Sequence, residues 1–442
     1  MAFVNASSCE CGKSELDLFA VQPTQTSVEE ASVVEYQPVS SVQNRAPLDF
    51  DVPGTGEHYI DMANIQLYVR AKILNNDGLT PLDANNTVAP VNLMLHSMFS
   101  QVDISLNGTL IFSSTNTYPY RAMLETLLSY GEDAKKSQLA SELFYKDDAG
   151  RMENTIIAAA EGNQPNAGLQ ARRAHARESR EFDMIGRIYG DIFFQERYLL
   201  NEVGIKVRLV RSKDTFCLMG APNDAKLHIT HAALFVRKVK LSPSVFIAHA
   251  RALENGTAKY PIKRTVCKAF AIPQNYRDIT YEKLVSGQLP TRLVVGIVDN
   301  AAFNGRRDRN PFNFRHYNLS EIAIYLDGHQ QHTLKPIQPD YGAGLFVRAY
   351  NSLFSGTGKL NGDEGIDISR NDYDRGYALY AFDLTADLGE DDHFNLVKHG
   401  NLRLALKFAE ALPHTVTVIA YAEFDNVIEL DRDRNVLVDF GV

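Results

Sequence analysis

The chain has 442 residues, 45% of them hydrophobic and 10% aromatic, enough to pack roughly two to four domains. With 45 Lys and Arg against 54 Asp and Glu its net charge is −9, which excludes a coat that grips nucleic acid through a clustered basic surface. No run of about eighteen apolar residues is present to span a membrane, and the first residues carry neither the basic n-region nor the apolar h-region of a secretory signal.

Residues 1 to about 45 are polar and rich in Ser, Thr and Gln, which predicts an arm ordered against a partner. Within it the segment SELDLF offers Leu16, Leu18 and Phe19 for docking. Cys9 and Cys11 stand too close together for an easy bridge, and Cys217 and Cys267 lie in strand-like runs, so the four cysteines suit a reducing compartment. Tyr59 to Ile73 reads as a strand with Ile65, Leu67 and Val69 facing inward, followed by the NNDG turn. Phe99 to Phe112 then reads as a hairpin. Val102, Ile104 and Leu106 alternate with polar residues, and Asn107-Gly108 supplies the positive φ of a two-residue turn. Helical spacing of Met123, Leu124, Leu127 and Leu128 predicts a short helix from Tyr118 to Tyr130, closed by Gly131, as a lid on one end of a sandwich.

From about 145 to 180 the patterning collapses into a polar insertion. Its arginines, Arg172, Arg173, Arg177 and Arg180, are expected in a solvated loop or at an inter-subunit salt-bridge surface in preference to a phosphate site. Strand patterning resumes from Phe182 to Leu241. Ser242 and Pro243 then open a helix closed by Asn255-Gly256, read as an interdomain connector. The expected division is an arm at 1–45, a first β-domain at 46–241, the connector at 242–256 and a second β-domain at 257–442. A second polar insertion falls at Gly356 to Gly376.

The second β-domain repeats the first. LSEIAIYLDG places Ile322, Ile324 and Leu326 inward before an Asp327-Gly328 turn, and Gly108 and Gly328 lie 220 positions apart, as do His96 and His316. Arg121-Ala122 recurs as Arg348-Ala349, Phe182-Asp183 as Phe382-Asp383, and the strand from Ile205 as that from Leu402, 197 positions on. Collinear landmarks with drifting offsets are what a duplicated β-domain with unequal loops produces.

No constellation carries chemistry. His228 and His231, three apart on a strand, are expected on opposite faces, and His329 and His332 repeat the spacing at a turn, so neither pair grips a metal. GTGK at Gly356 to Lys359 lacks the rest of a phosphate-binding loop, VPGTG at Val52 to Gly56 leads into no helix, and there is no G-x-S-x-G elbow. Asp391-Asp392 reads as solvated surface. Five Asn-x-Ser/Thr sequons, at Asn5, Asn85, Asn107, Asn255 and Asn318, read as turn chemistry. The expectation is no enzyme, no cofactor and no metal.

The runs VNLMLHSMFSQVDISLNG (Val91 to Gly108), STNTYPYRAMLETLLSYG (Ser114 to Gly131) and DMIGRIYGDIFFQERYLLN (Asp183 to Asn201) resemble the hexon-type major capsid proteins of Polinton/Maverick elements and adintoviruses. So do VRLVRSKDTFCLM (Val207 to Met219), RNPFNFRHYNL (Arg309 to Leu319) and YALYAFDLT (Tyr377 to Thr385), so that the likeness extends from about Lys13 to Phe440. The resemblance implies an all-β fold of two tandem eight-stranded jelly rolls. It also implies pseudo-hexagonal homotrimers tiling an icosahedral shell around double-stranded DNA. It further implies insertions forming outer towers, an arm at the shell base, minor capsid and penton proteins as partners, no sequence-specific nucleic-acid contact, and location in the virion after synthesis in the host cytoplasm. The alternative from the residues is a soluble two-domain β-sandwich binding protein such as a carbohydrate-binding module. The absence of Trp weakens its aromatic platform. A metal-binding enzyme of the cupin type comes third.

Overall fold

A computed structural model describes residues 5, 7–42, 45–158, 163–222, 224–330, 335–388 and 393–438. The first β-domain consists of β1 (Val28–Tyr36), β2 (Leu48–Val52), β3 (His58–Leu74), β4 (Phe99–Leu106), β5 (Thr109–Ser113), β6 (Phe182–Arg187), β7 (Ile205–Arg211) and β8 (Lys226–Leu241). The second consists of β9 (Ala258–Ile272), β10 (Asp278–Gln288), β11 (Arg292–Asp299), β12 (Leu319–Leu326), β13 (His329–Gln330), β14 (Leu379–Asp383), β15 (His399–Phe408) and β16 (Val416–Leu430). Four helices matter below: α1 (Tyr118–Ser129), α2 (Ala167–Ala176), α3 (Pro243–Leu253) and α4 (Val347–Ser355).

The sheet order is β1-β8-β3-β6 facing β2-β7-β4-β5 in the first domain, and β9-β16-β11-β14 facing β10-β15-β12-β13 in the second. Adding eight to each strand number of the first pair gives the second pair. Each domain is thus an antiparallel eight-stranded jelly roll, and the chain is a double jelly roll. Period-two burial builds the cores: Ile65, Leu67, Val69, Val102, Ile104 and Leu106 are all buried to within 1%. Ile322 and Ile324 do the same in the second roll.

Because every strand pairing is antiparallel, successive loops alternate between the two ends of a roll. Loops 53–57, 107–108 and 188–204 gather at one end with α3, here the base, as the Asn107–Gly204 and Thr55–Glu202 backbone bonds attest. The long segments between β5 and β6 and between β13 and β14 stand at the opposite end of their rolls and pack on each other, Gly150 N donating to Arg375 O at 2.7 Å.

Several expectations change. The arm does not run to residue 45, because Val28–Tyr36 pairs with Leu234–Leu241 as the first strand of the first roll. Its pattern escapes period-two reading because β1 is an edge strand exposed along most of its length. Helix α1 is no lid: ten of its twelve residues are buried, and it lies against both rolls. Leu326 is half-buried at the end of its strand, not fully inward like Leu106. A bulge after Ile229 puts His228 opposite Lys72 and His231 opposite Arg70, on one face of the sheet and not on opposite faces. No metal-ligating cluster forms among the described residues. Ser242 precedes α3, but its hydroxyl makes no capping bond. Asp391, Asp392 and His332 lie outside the described residues.

Candidate assembly interface

The two rolls are joined by a buried polar seam. Arg121, 2% exposed on α1, bonds Glu125 Oε1 through Nε at 2.8 Å and pairs through Nη1 with Asp191 Oδ1 at 2.7 Å. Its guanidinium also lies over the Phe112 ring, 4.6 Å from the centroid. The second roll answers with Tyr421, whose Oη lies 3.1 Å from Glu125 Oε1 and 2.7 Å from Glu423 Oε1. Arg292 donates to Glu423 Oε2 at 3.1 Å, and Thr265 N donates to Asp191 Oδ1 at 3.2 Å. Thr117 Oγ1 donates to Cys267 O at 3.0 Å. Burial opposes the charge on Arg121, but Glu125 and Asp191 more than offset it and raise its pKa. Burial raises the pKa of both carboxylates, with Arg121 pulling the other way. The bonds that cross from roll to roll in this seam are those of Tyr421 to Glu125, Thr265 to Asp191 and Thr117 to Cys267.

A second cluster ties the insertions together at the opposite end. Asp147 Oδ1 accepts Arg172 Nη2 at 2.7 Å and Asn166 Nδ2 at 2.9 Å, while Oδ2 accepts Asn310 Nδ2 at 2.9 Å. Tyr377 of the second roll donates to Asp147 O at 2.7 Å. Lys146 pairs with Asp372 at 3.0 Å; burial works against the Asp372 charge, but bonds from Lys146 and Ser369 prevail and lower its pKa. Lys135 Nζ donates to Leu127 O at 3.0 Å and Ile366 O at 2.6 Å, and burial pushes its amine down to about 7.

These contacts correct the reading of the four arginines. Arg172 is wholly buried, bonded to Pro90 O, Tyr145 O and Asp147, and Arg173 caps the carbonyls of Ala84 and Asn86. Neither can reach another subunit or a phosphate. Arg177 and Arg180 are exposed. The signal that could have separated them is spacing: Leu169, Arg172, Arg173 and Ala176 share the buried face of α2.

The hairpin turns have equivalent geometry. Asn107 and Gly108 take φ of 46° and 84°, Asp327 and Gly328 48° and 80°. Asn107 Oδ1 accepts from Gly204 N, just before β7, and Asp327 Oδ1 accepts from Asn401 N, near the start of β15, each at 2.8 Å. Asn107 Nδ2 also donates to Arg434 O at 3.1 Å, and Arg434 bonds Asn201, so the end of the second roll grips the base of the first. In the arm, Leu16, Leu18 and Phe19 are 73%, 75% and 97% exposed. The four cysteines are free, and burial lifts the Cys217 thiol to about 12.

No family model matches the chain. It is 26% identical over 432 residues to an uncharacterised protein of Caenorhabditis elegans, covering 94% of this chain and 99% of that one. Among solved structures, a chain of the Sputnik virophage superposes with a TM-score of 0.67 at 11% identity, over 100% of this chain and 94% of that one. The mavirus major capsid protein gives 0.56 at 13% identity, over 99% and 97% of the two chains. The Faustovirus major capsid protein gives 0.57 at 8%, over 93% and 92%. What the three solved structures share with the chain over nearly its whole length is the fold, a double jelly roll.

Proposed function

We propose that the chain is a major capsid protein of the hexon type, akin to those of Polinton/Maverick elements and adintoviruses. It acts as a structural subunit and not as an enzyme. Three copies form a pseudo-hexagonal trimer, and trimers tile an icosahedral shell around double-stranded DNA. The observation that supports this reading best is the pairing of two rolls of one strand order through the Arg121 seam. Six similar rolls held at fixed orientation give a trimer a nearly six-fold outline, which a lattice of hexagonal tiles requires. Closed sheets of the jelly-roll type also leave few open edges, so shells can crowd them without edge-to-edge aggregation.

In this reading the interlocked insertions face outward as towers. The base end, with the arm and α3, faces inward toward minor capsid and penton proteins. Native mass by light scattering, with negative-stain images of the same peak, tests it. Hexagonal particles of three times the 49.4 kDa chain mass, or closed shells, are the expected result. A monomer that persists as concentration rises rejects the proposal in favour of a soluble binding protein. Because β1 belongs to the first roll, the arm's part in assembly is probed by deleting residues 1–26, not 1–45. Trimers that form but fail to make shells are expected. Shells built as efficiently as by the full chain remove that role.

A further inference from the structure

The base end carries an apolar groove of about 560 Å³ between α3 and the two rolls, lined by Tyr59, Leu200, Leu241 and Tyr260 and, from α3, by Val245 and Leu253. Helix α3 is apolar in sequence yet buries only Leu253 among its eleven residues, and Ile247 is 51% exposed. It is tethered to the first roll through His249, whose ring nitrogen lies 3.1 Å from Tyr59 Oη. The groove rim is basic on balance, with Arg197 and Lys259 against Glu196.

The arm has the complementary chemistry. Leu16, Leu18, Phe19 and Val21 are between 73% and 97% exposed, so four large apolar side chains find no cover in their own chain. Glu15 and Asp17 are interleaved with them. The arm enters the fold at the groove itself, since Ser27 and Val28 form part of its wall. Gln25 clasps Val28 from both sides, accepting its N–H at 2.7 Å and donating to its carbonyl at 3.1 Å, which fixes the turn by which the arm leaves the rim. From Ser27 back to Phe19 the chain can reach about 26 Å at roughly 3.3 Å per residue, enough to cross to an adjoining copy.

We propose that the segment Ser14 to Val21 of one copy docks in the α3 groove of a second copy, so that neighbouring subunits exchange arms at the base. Apolar side chains fill the groove and the arm's carboxylates face Arg197 and Lys259. A donor and an acceptor on every copy let the exchange close around a symmetric ring. The inference draws on the capsid reading only for the presence of neighbouring copies.

The test uses the full chain with Phe19 replaced by photoreactive p-benzoylphenylalanine, mixed from nitrogen-14 and nitrogen-15 preparations and irradiated. Crosslinks that join a light chain to a heavy one and map to residues 196–200 and 243–260 are the expected result. Crosslinks within one isotopic chain alone would mean that the arm folds back on itself. That outcome, crosslinks outside the groove, or none at all, overturns the proposal. The variant Ala252→Glu, at an exposed position of α3 that lines the groove, should leave the melting temperature unchanged and cut groove crosslinks by roughly tenfold, because a carboxylate then lines an apolar site. Undiminished crosslinking in that variant also overturns it. Hexagonal trimers with crosslinks elsewhere would sink the exchange and leave the capsid reading standing. Groove crosslinks in particles that are not trimers would do the reverse.

Discussion

Helices α1 and α4 occupy the same place in the two rolls, after the fifth strand, and both carry the Arg-Ala pair of the repeat. Their fates differ. Arg121 is enclosed between the rolls with Glu125 and Asp191, whereas Arg348 is exposed and bonds the carbonyls of Lys335 and Pro336. Nearly all of α1 is buried, while α4 buries three of its nine residues. A duplicated sequence therefore made one fold twice and gave its two matching helices different surroundings. The copy of the helix that faces its sister roll became the joint, and the other kept an open face.

The hairpins allow the sharpest break in this symmetry. Leu106 is wholly buried, so Leu106→Asp strands a carboxylate in a core, and loss of soluble protein is expected, at a cost above about 4 kcal/mol. Half-buried Leu326 can turn an aspartate toward solvent, so Leu326→Asp should stay soluble with a clearly lowered urea midpoint. Equal damage in both would contradict the burial difference. Next comes the seam. Arg121→Ala leaves Glu125 and Asp191 buried without their partner and should cost about 3–5 kcal/mol, against about 0.5 kcal/mol for Arg348→Ala. Urea unfolding of the two variants side by side would expose any error in assigning the joint to α1.

A pH experiment sharpens the contrast at the opposite end. Lys135 titrates near 7 when folded and at 10.5 in the unfolded reference, so between those values the unfolded chain holds the extra proton. Its contribution to stability must therefore rise as pH is raised from about 7 toward 10.5 and level off beyond. Lys135→Met should remove that increment from the melting curve. An unchanged pH profile would show that the amine is not buried between Leu127 and Ile366. The smallest effect belongs to the turns. Gly108 and Gly328 have open space where a Cβ would go, so Gly108→Ala and Gly328→Ala suffer from positive φ alone, about 1 kcal/mol each. Matching losses in thermal denaturation are expected.

Much of the fold was legible in the residues. Alternation over Val102, Ile104 and Leu106 and the Asn-Gly and Asp-Gly turns are local signals, carried by neighbours in the chain and needing no partner to be read. Even the offset of 197 between Ile205 and Leu402 has a structural counterpart, since Gly204 and Asn401, the residues just before them, donate their N–H groups to the side chains of Asn107 and Asp327 in the two turns. The site was far less legible. Arg172 looked like surface because arginine usually is, and its burial depends on carbonyls at Pro90 and Tyr145 that the folded chain brings to it. Strand β1 shows no alternating burial because most of its residues are exposed and only Val28, Val34 and Tyr36 are half-buried, so its pairing with β8 is what marks it as a strand.

The sequence by itself determined two repeated β-domains, their turns and the connector between them, because each rests on short-range periodicity and backbone preference, while the jelly-roll topology entered only through the family resemblance. The tertiary structure alone decided which of two equivalent helices became the joint, which arginines went inside and where the arm ends. Those outcomes depend on contacts such as Glu125 with Tyr421, 296 positions apart, whose energy exists only when both rolls are folded and facing each other.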